Sequence, residues 1–210
     1  MAKILMGCPI FNFQDLIIRK NQELIRETSQ HEVSYFEVIG ASVEHAKQII
    51  YKKFLEGDYD YYFNVDADIF FFPGDKNPID LLVEDDKDIV GGIYPLKDKT
   101  ARPSHRPLDL QEAYEKDGKF PTDYIFVIPN ELHEVMFLAG GCMLIKKEVI
   151  KKLTEKYIIP NLPMIYKGEY LSEDFAFCLR SREEGYKVYA EPEIILGHQG
   201  RYLYTLKDYQ

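Results

Sequence analysis

The sequence predicts a single α/β domain, a mixed but mainly parallel sheet flanked by helices, and three observations carry that prediction. Short apolar runs alternate with segments of helical period through the first half. Capping residues stand where those helical segments begin. A chain of 210 residues that is 46% hydrophobic has enough apolar material for one sizeable core.

Taken in order, Lys3 to Gly7 reads as a strand, Gln14 to Thr28 as a helix with Leu16, Ile17, Leu24 and Ile25 on its apolar side, and Glu32 to Val38 as a second strand. Ser42 is an N-cap residue, Ala46, Ile49, Ile50 and Phe54 recur at helical spacing through Leu55, and Gly57 stops the helix. Tyr61 to Val65 is the third strand. Asn77 before Pro78 opens a short helix over Ile79 to Glu84, because proline at the first helical position loses no hydrogen bond. Asp88 to Ile93 is the fourth strand. Strands that alternate with helices pair in parallel through right-handed crossovers.

From Tyr94 to Asp123 the chain is polar, broken by Pro95, Pro103, Pro107 and Pro121, and has no strong period; long connections of this kind often carry function. Tyr124 to Ile128 and Glu134 to Leu138 read as strands, Gly140-Gly141 interrupts, and Cys142 to Ile145 continues apolar. A helix at Lys147 to Tyr157, a loop with Pro160, Pro163 and Gly168, a helix at Ser172 to Glu184 and a strand near Glu193 to Leu196 complete the order. Residues 1–93 and 94–210 form the two halves of the one domain.

A net charge of −9 excludes the broad basic surface that nucleic-acid binding exploits. No apolar run approaches the roughly 20 residues that cross a bilayer, and MAKILMGCPIF lacks a small-residue cleavage pattern. Cys8, Cys142 and Cys178 are odd in number and show no CxxC spacing, which argues for reduced core thiols and a cytoplasmic compartment.

The stretch YYFNVDADIFFFP sets Asp66 and Asp68 at the end of an apolar run. If the strand continues past Val65, residues i and i+2 point to one side and the carboxylates converge where open α/β sheets bind ligands. Two carboxylates so close repel unless a cation or a shared proton offsets them, and a hard divalent ion with oxygen ligands is the economical solution; solvated turn formers are the alternative. In ILGHQG, His198 follows an apolar run and is a candidate ligand for such an ion, or a structural histidine. YLSEDFAFCLRSREEGY puts Glu173 and Asp174 in the first turn of a helix behind the N-cap candidate Ser172, a place that favours acids whatever their role. Leu171, Phe175, Cys178 and Leu179 form its buried stripe, leaving both acids at the helix mouth. Gly140-Gly141 is a turn, a bulge or a point of close backbone approach.

In order and spacing, VDAD, GGIYPLK, AGGCMLI, SEDFAFCLR and LGHQG resemble GT-A fold (Rossmann-like) glycosyltransferases, particularly small family 2-like members of the viral and phage type, over nearly the whole chain. The resemblance implies transfer of a sugar from a nucleotide-diphosphate sugar, with UDP the commonest nucleotide, to a glycan or other hydroxyl acceptor. It implies Mn²⁺, or Mg²⁺, held by Asp68, His198 and Asp66, with Asp66 and Ala67 near the ribose. Pro9 and Phe11, in a loop Cys8 to Phe11 after the first strand, would border the nucleobase. Lys47 stands where the family often has an arginine toward the nucleotide, and lysine is a point charge and not a fork. Asp174, with Glu173 as its alternative, would take the acceptor's proton in an inverting reaction, Gly140 and Gly141 would line the acceptor side, and Lys97 or Arg201 would neutralise phosphate.

Two other readings use the same residues; a nucleotidyltransferase acting on sugar phosphates would share the nucleotide fold, but the glycine-rich, basic signature it needs after the first strand is missing. A haloacid dehalogenase-type phosphatase would use Asp66 as nucleophile, but Ile69 is fourth in its DxDx(T/V) pattern with no Thr or Val after it, and its later acidic motif should lie farther on than GDKNPID. A glycan- or nucleotide-sugar-binding module without turnover would use the 16 tyrosines and 13 phenylalanines for stacking.

Overall fold

Strands buried on both faces decide the architecture. The computed structural model describes residues 1–11, 14–97, 100–119, 127–200 and 203–206. β1 (Lys3–Ile10), α1 (Leu16–Thr28), β2 (Glu32–Ile39), α2 (Val43–Glu56) and β3 (Tyr61–Val65) are followed by β4 (Ile69–Phe71), α3 (Pro78–Glu84) and β5 (Ile89–Gly92). Then come β6 (His105–Arg106), α4 (Leu108–Asp117), β7 (His133–Val135), β8 (Phe137–Leu138), β9 (Cys142–Lys146) and α5 (Lys147–Lys156). β10 (Met164–Tyr166), β11 (Glu169–Leu171), α6 (Glu173–Glu183), β12 (Val188–Glu191), β13 (Leu196–Gln199) and β14 (Leu203–Thr205) complete the chain.

The main sheet has the order β2-β1-β3-β9-β5-β12-β7. β2, β1, β3, β5 and β12 run one way, while β9 and β7 oppose their neighbours. This is the mixed, mainly parallel sheet the sequence predicts. β9 belongs to the second half of the chain yet sits between β3 and β5, so both halves share one sheet. Along each central strand, neighbours alternate between two cores with the period of two that pleating imposes. Leu5, Tyr62 and Ile145 face Ile50 and Phe54 of α2 and Leu153 of α5. Ile4, Met6, Phe63 and Leu144 face Ile79 and Leu82 of α3.

The local start signals act as expected: Ser42 accepts from the His45 N–H at 3.4 Å, and Asn77 accepts from the Ile79 N–H at 2.9 Å ahead of α3. Ser172 does stand at the N-cap of α6, but its hydroxyl makes no capping bond.

Several expectations are corrected. β1 runs on to Ile10, so Cys8 and Pro9 are buried strand residues, not loop. The apolar side of α1 is only partly the one expected: Ile25 packs against the core, but Leu16, Ile17 and Leu24 are exposed, while Ile18 and Gln22 are buried. Within the connection after β5 lies the helix α4, with buried Leu110, Gln111 and Tyr114 on one side and Gly118 left-handed at its end (φ 69°). Glu134 to Leu138 is divided: β7 pairs with β12 and β8 with β6. β12 precedes the strand expected at Glu193 to Leu196, which instead begins at Leu196 as β13. Of the strand expected at Tyr124 to Ile128, residues 124–126 lie outside the described residues, and Val127 and Ile128 are not in a strand.

Candidate active site

The strand β3 does not carry on through VDAD. It ends at Val65, and the Ile69 N–H closes a turn onto the Asp66 carbonyl at 3.2 Å before β4 leads into a second sheet, β14-β13-β4. The two aspartates therefore do not converge by strand alternation; the turn sends each carboxylate to its own set of partners. Gln22 of α1 secures the turn, its amide donating to the carbonyls of Asp66 (2.8 Å) and Ile69 (2.9 Å). That demand explains why a glutamine, and not Leu24, is buried on α1.

On one side, Asp66 accepts from the Asn64 amide at 3.3 Å. Asn64 is itself fixed by the Tyr62 hydroxyl at 2.5 Å and by the Gly140 carbonyl. Beyond it, Lys47 of α2 is 3% exposed and directs its ammonium to Asp174 at 2.6 Å and Glu173 at 3.6 Å. Burial alone would pull the Lys47 pKa down; Asp174, Glu173 and Asp66 together hold it well above its ordinary value. Burial pushes Asp66 up to about 6, although Lys47 opposes. Burial, joined by the Asp174 charge, pushes Glu173 up to about 7. Burial also acts on Asp174, but the Lys47 charge and hydrogen bond outweigh it and hold this carboxyl below the usual range.

Gly140 belongs where it is because its space is taken: a Cβ there would lie 2.6 Å from Asp174 Oδ1 and 3.1 Å from Lys47 Nζ. At Gly141 a Cβ would meet the Tyr94 hydroxyl at 2.7 Å, the same hydroxyl that accepts the Gly141 N–H at 2.9 Å. The close approach at this glycine pair is thus to Asp174 and Tyr94. Tyr94, Asn64 and Gln22 carry no site signal of their own in the sequence; Tyr94 lies in the GGIYPLK segment and Asn64 is the last residue but one of β3, two before the Asp66 it bonds.

On the other side, pairing of β13 with β4 sets His198 opposite Ile69, and the Gln199 N–H donates to the Asp68 carbonyl at 2.8 Å. His198 Nε2 then lies 3.5 Å from Asp68 Oδ1, so two residues far apart along the chain meet. His198 Nδ1 is 2.9 Å from the Pro95 carbonyl, which can only accept, so Nδ1 carries the hydrogen. Lys97 forms an ion pair with the other Asp68 oxygen. Burial would raise the Asp68 pKa, but His198 and Lys97 prevail and lower it. Among the described residues, no three His, Cys, Asp or Glu side chains form a ready ligand set.

Of the remaining candidates, Ala67 is half-buried between the two aspartates, Pro9 is buried at the end of β1, and Phe11 just beyond it is 66% exposed. Arg201 lies outside the described residues. Among the described residues, no helix is long and apolar enough to cross a membrane.

No family model and no curated protein matches the sequence. Among solved structures, the chain is similar to A197 from STIV, with a TM-score of 0.64 and 20% identity over 97% of this chain and 93% of that one. It is also similar to UDP-glucose pyrophosphorylase complexed with UDP-glucose, with a TM-score of 0.50 and 10% identity over 91% and 90%. A structure of GalNAc-T7 with UDP, GalNAc and Mn²⁺ aligns with a TM-score of 0.49 and 13% identity over 100% of this chain and 47% of that one. At these identities the likeness to the first two is one of fold.

Proposed function

We propose that the chain is a metal-dependent glycosyltransferase that moves a sugar from a nucleotide-diphosphate sugar, with UDP as the working nucleotide, to a glycan or other hydroxyl acceptor with inversion. The observation that carries this reading is the meeting of Asp68 and His198. With Nδ1 committed to the Pro95 carbonyl, His198 faces a carboxylate oxygen with Nε2 at 3.5 Å, and a cation entering between them would take the place of the proton that pairs them without it. Two electron-rich atoms held face to face suit a shared cation, and a carboxylate with an imidazole oriented by a backbone carbonyl is a donor set for Mn²⁺ or Mg²⁺. The charge balance points the same way. Asp66, Asp68, Glu173 and Asp174 outnumber Lys47 and Lys97 in the site, so a diphosphate entering it needs a further positive charge. When bound, the ion would neutralise charge developing on the leaving diphosphate.

The chain's own residues divide the remaining work. Asp66 and Ala67 form the turn beside the ribose, Pro9 and Phe11 border the base, and Lys97 or Arg201 answers the phosphates. Gly140 and Gly141 line the acceptor side, where the pair Glu173 and Asp174 takes the hydroxyl proton. The fold shared with a UDP-glucose-bound structure supports a nucleotide sugar as the donor.

Thermal unfolding with UDP-glucose and Mn²⁺ tests the reading. Ligand at 100 times its Kd adds about 2.7 kcal/mol of stability, and this gain should require both components and vanish in Asp68→Ala. A gain that survives both EDTA and Asp68→Ala would overturn the assignment of the metal to this turn. A product that keeps the donor's anomeric configuration by NMR would overturn inversion.

A further inference from the structure

We infer that Glu173, not Asp174, receives the acceptor's proton, and that Lys47 is the positioning residue that divides these roles by pinning Asp174; the inference rests on the transferase reading above. Asp174 has its acceptor capacity committed. Its carboxylate takes the Lys47 ammonium at 2.6 Å and the Gly140 N–H. Only 12% of its side chain is exposed, against 23% for Glu173, whose nearer oxygen stands 3.6 Å from Lys47. A base must have a free lone pair facing the hydroxyl and must gain by accepting a proton. Asp174 would have to give up its hydrogen bond from a buried lysine to do so, whereas Glu173 has only the longer 3.6 Å ion pair with that lysine to lose.

The charged groups around Glu173 are Asp174 on its own helix and Lys47 of α2, with Asp66 of β3's turn facing Lys47 from beyond. Burial and Asp174 together place Glu173 near neutrality, where a base is partly ionised and able to accept a proton. In the transfer step the acceptor oxygen bonds to the anomeric carbon while its proton passes to a Glu173 oxygen. The bond from that carbon to the diphosphate breaks, and its electron pair leaves with the diphosphate.

Two measurements decide the matter. In the free protein, carboxyl-carbon NMR should show Glu173 titrating near pH 7 and Asp174 remaining ionised far below it, with assignments from Glu173→Gln and Asp174→Asn; the reverse order overturns the inference whatever the donor. In turnover, release of UDP from UDP-glucose with Mn²⁺ should rise with pH to a plateau whose midpoint lies near 7. Glu173→Gln should lower it by about 10² to 10⁴. Lys47→Arg should keep the midpoint and Lys47→Gln should move it to higher pH, because loss of the cation raises both carboxyls; a purely structural lysine would lower the amount of folded enzyme without moving the midpoint. Wild-type turnover with Glu173→Gln within threefold of it overturns the inference. Absence of UDP release and of stabilisation by UDP-glucose in the wild type is the separate result that defeats the transferase reading itself.

Discussion

Asp66 and Asp68 stand two residues apart on one turn and live in opposite electrostatic surroundings. The Asp66 side is built from the main sheet and two helices: Asn64, Gly140, Lys47 and the mouth of α6 surround it, and burial raises its pKa to about 6. The Asp68 side is built from the second sheet and the strap after β5, where His198 and Lys97 keep the carboxyl ionised. One turn therefore presents a carboxylate that resists its charge beside one that is eager for a cation. The lesson is that a DxD pair need not be a symmetric chelate; the fold assigns different work to its members.

The largest test sets the two lysines against each other. Lys47 is 4% exposed in its side chain and Lys97 35%, although each forms a close ion pair with an aspartate. Removing one partner of a buried pair leaves an uncompensated charge and costs about 3–5 kcal/mol, whereas an exposed pair is worth about 0–1 kcal/mol. Urea unfolding at pH 7 should therefore show Lys47→Met losing several kcal/mol and Lys97→Ala less than about 1. Equal losses would mean that the two sides are alike after all. Next in size, Asp68→Ala should weaken Mn²⁺-dependent UDP-glucose binding by about 100-fold or more, on the order of 2.7 kcal/mol, measured by titration calorimetry.

The third test reads the opposite pKa shifts as stability. Burial raises the folded-state pKa of Asp66 above its ordinary 3.8, so the folded chain keeps a proton that the unfolded chain releases between about pH 4 and 6. Stability falls with rising pH across that window, by about 2–3 kcal/mol at 1.36 kcal/mol per pKa unit. Asp66→Asn should thus be more stable than wild type at pH 7 by about that amount, with the difference vanishing near pH 4. Asp68 has a lowered folded pKa, so its contribution is present at neutral pH and lost as the pH falls; Asp68→Asn should destabilise at pH 7. Denaturation midpoints at pH 4 and 7 that move in the same direction for both variants would erase the asymmetry.

What was legible in the sequence was local. The caps at Ser42 and Asn77 and the apolar run into VDAD act over a few residues, and the structure keeps them. The meeting of Asp68 with His198 was readable only because the ordered motifs resemble a known family. What stayed hidden depends on partners far along the chain. The helix α1 buries Gln22 because the VDAD turn needs an amide there, a requirement that hydrophobic period cannot express. α4 has few apolar residues, and the proline-rich, polar stretch around it masks them. The resemblance turns Lys47 toward the nucleotide, and its pairing with Asp174 depends on a residue 127 positions on.

The smallest expected effect concerns the residue that touches both sides. The Tyr94 hydroxyl accepts the Gly141 N–H at 2.9 Å, and its ring meets His198 edge to face with centroids 5.0 Å apart. It thus links the glycine pair beside Asp174 to the histidine beside Asp68. Tyr94→Phe keeps the ring and removes the only acceptor the hydroxyl offered, leaving a buried N–H to find another; the cost should be about 1 kcal/mol, and up to about 3 if none is found. Because the ring remains, His198 should hold its place, and Mn²⁺-dependent UDP-glucose binding should fall no more than about threefold, a difference below about 0.7 kcal/mol. A loss in binding as large as that of Asp68→Ala would mean that the Asp68 side depends on the Gly141 hydrogen bond, and that the two halves of the turn act as one unit.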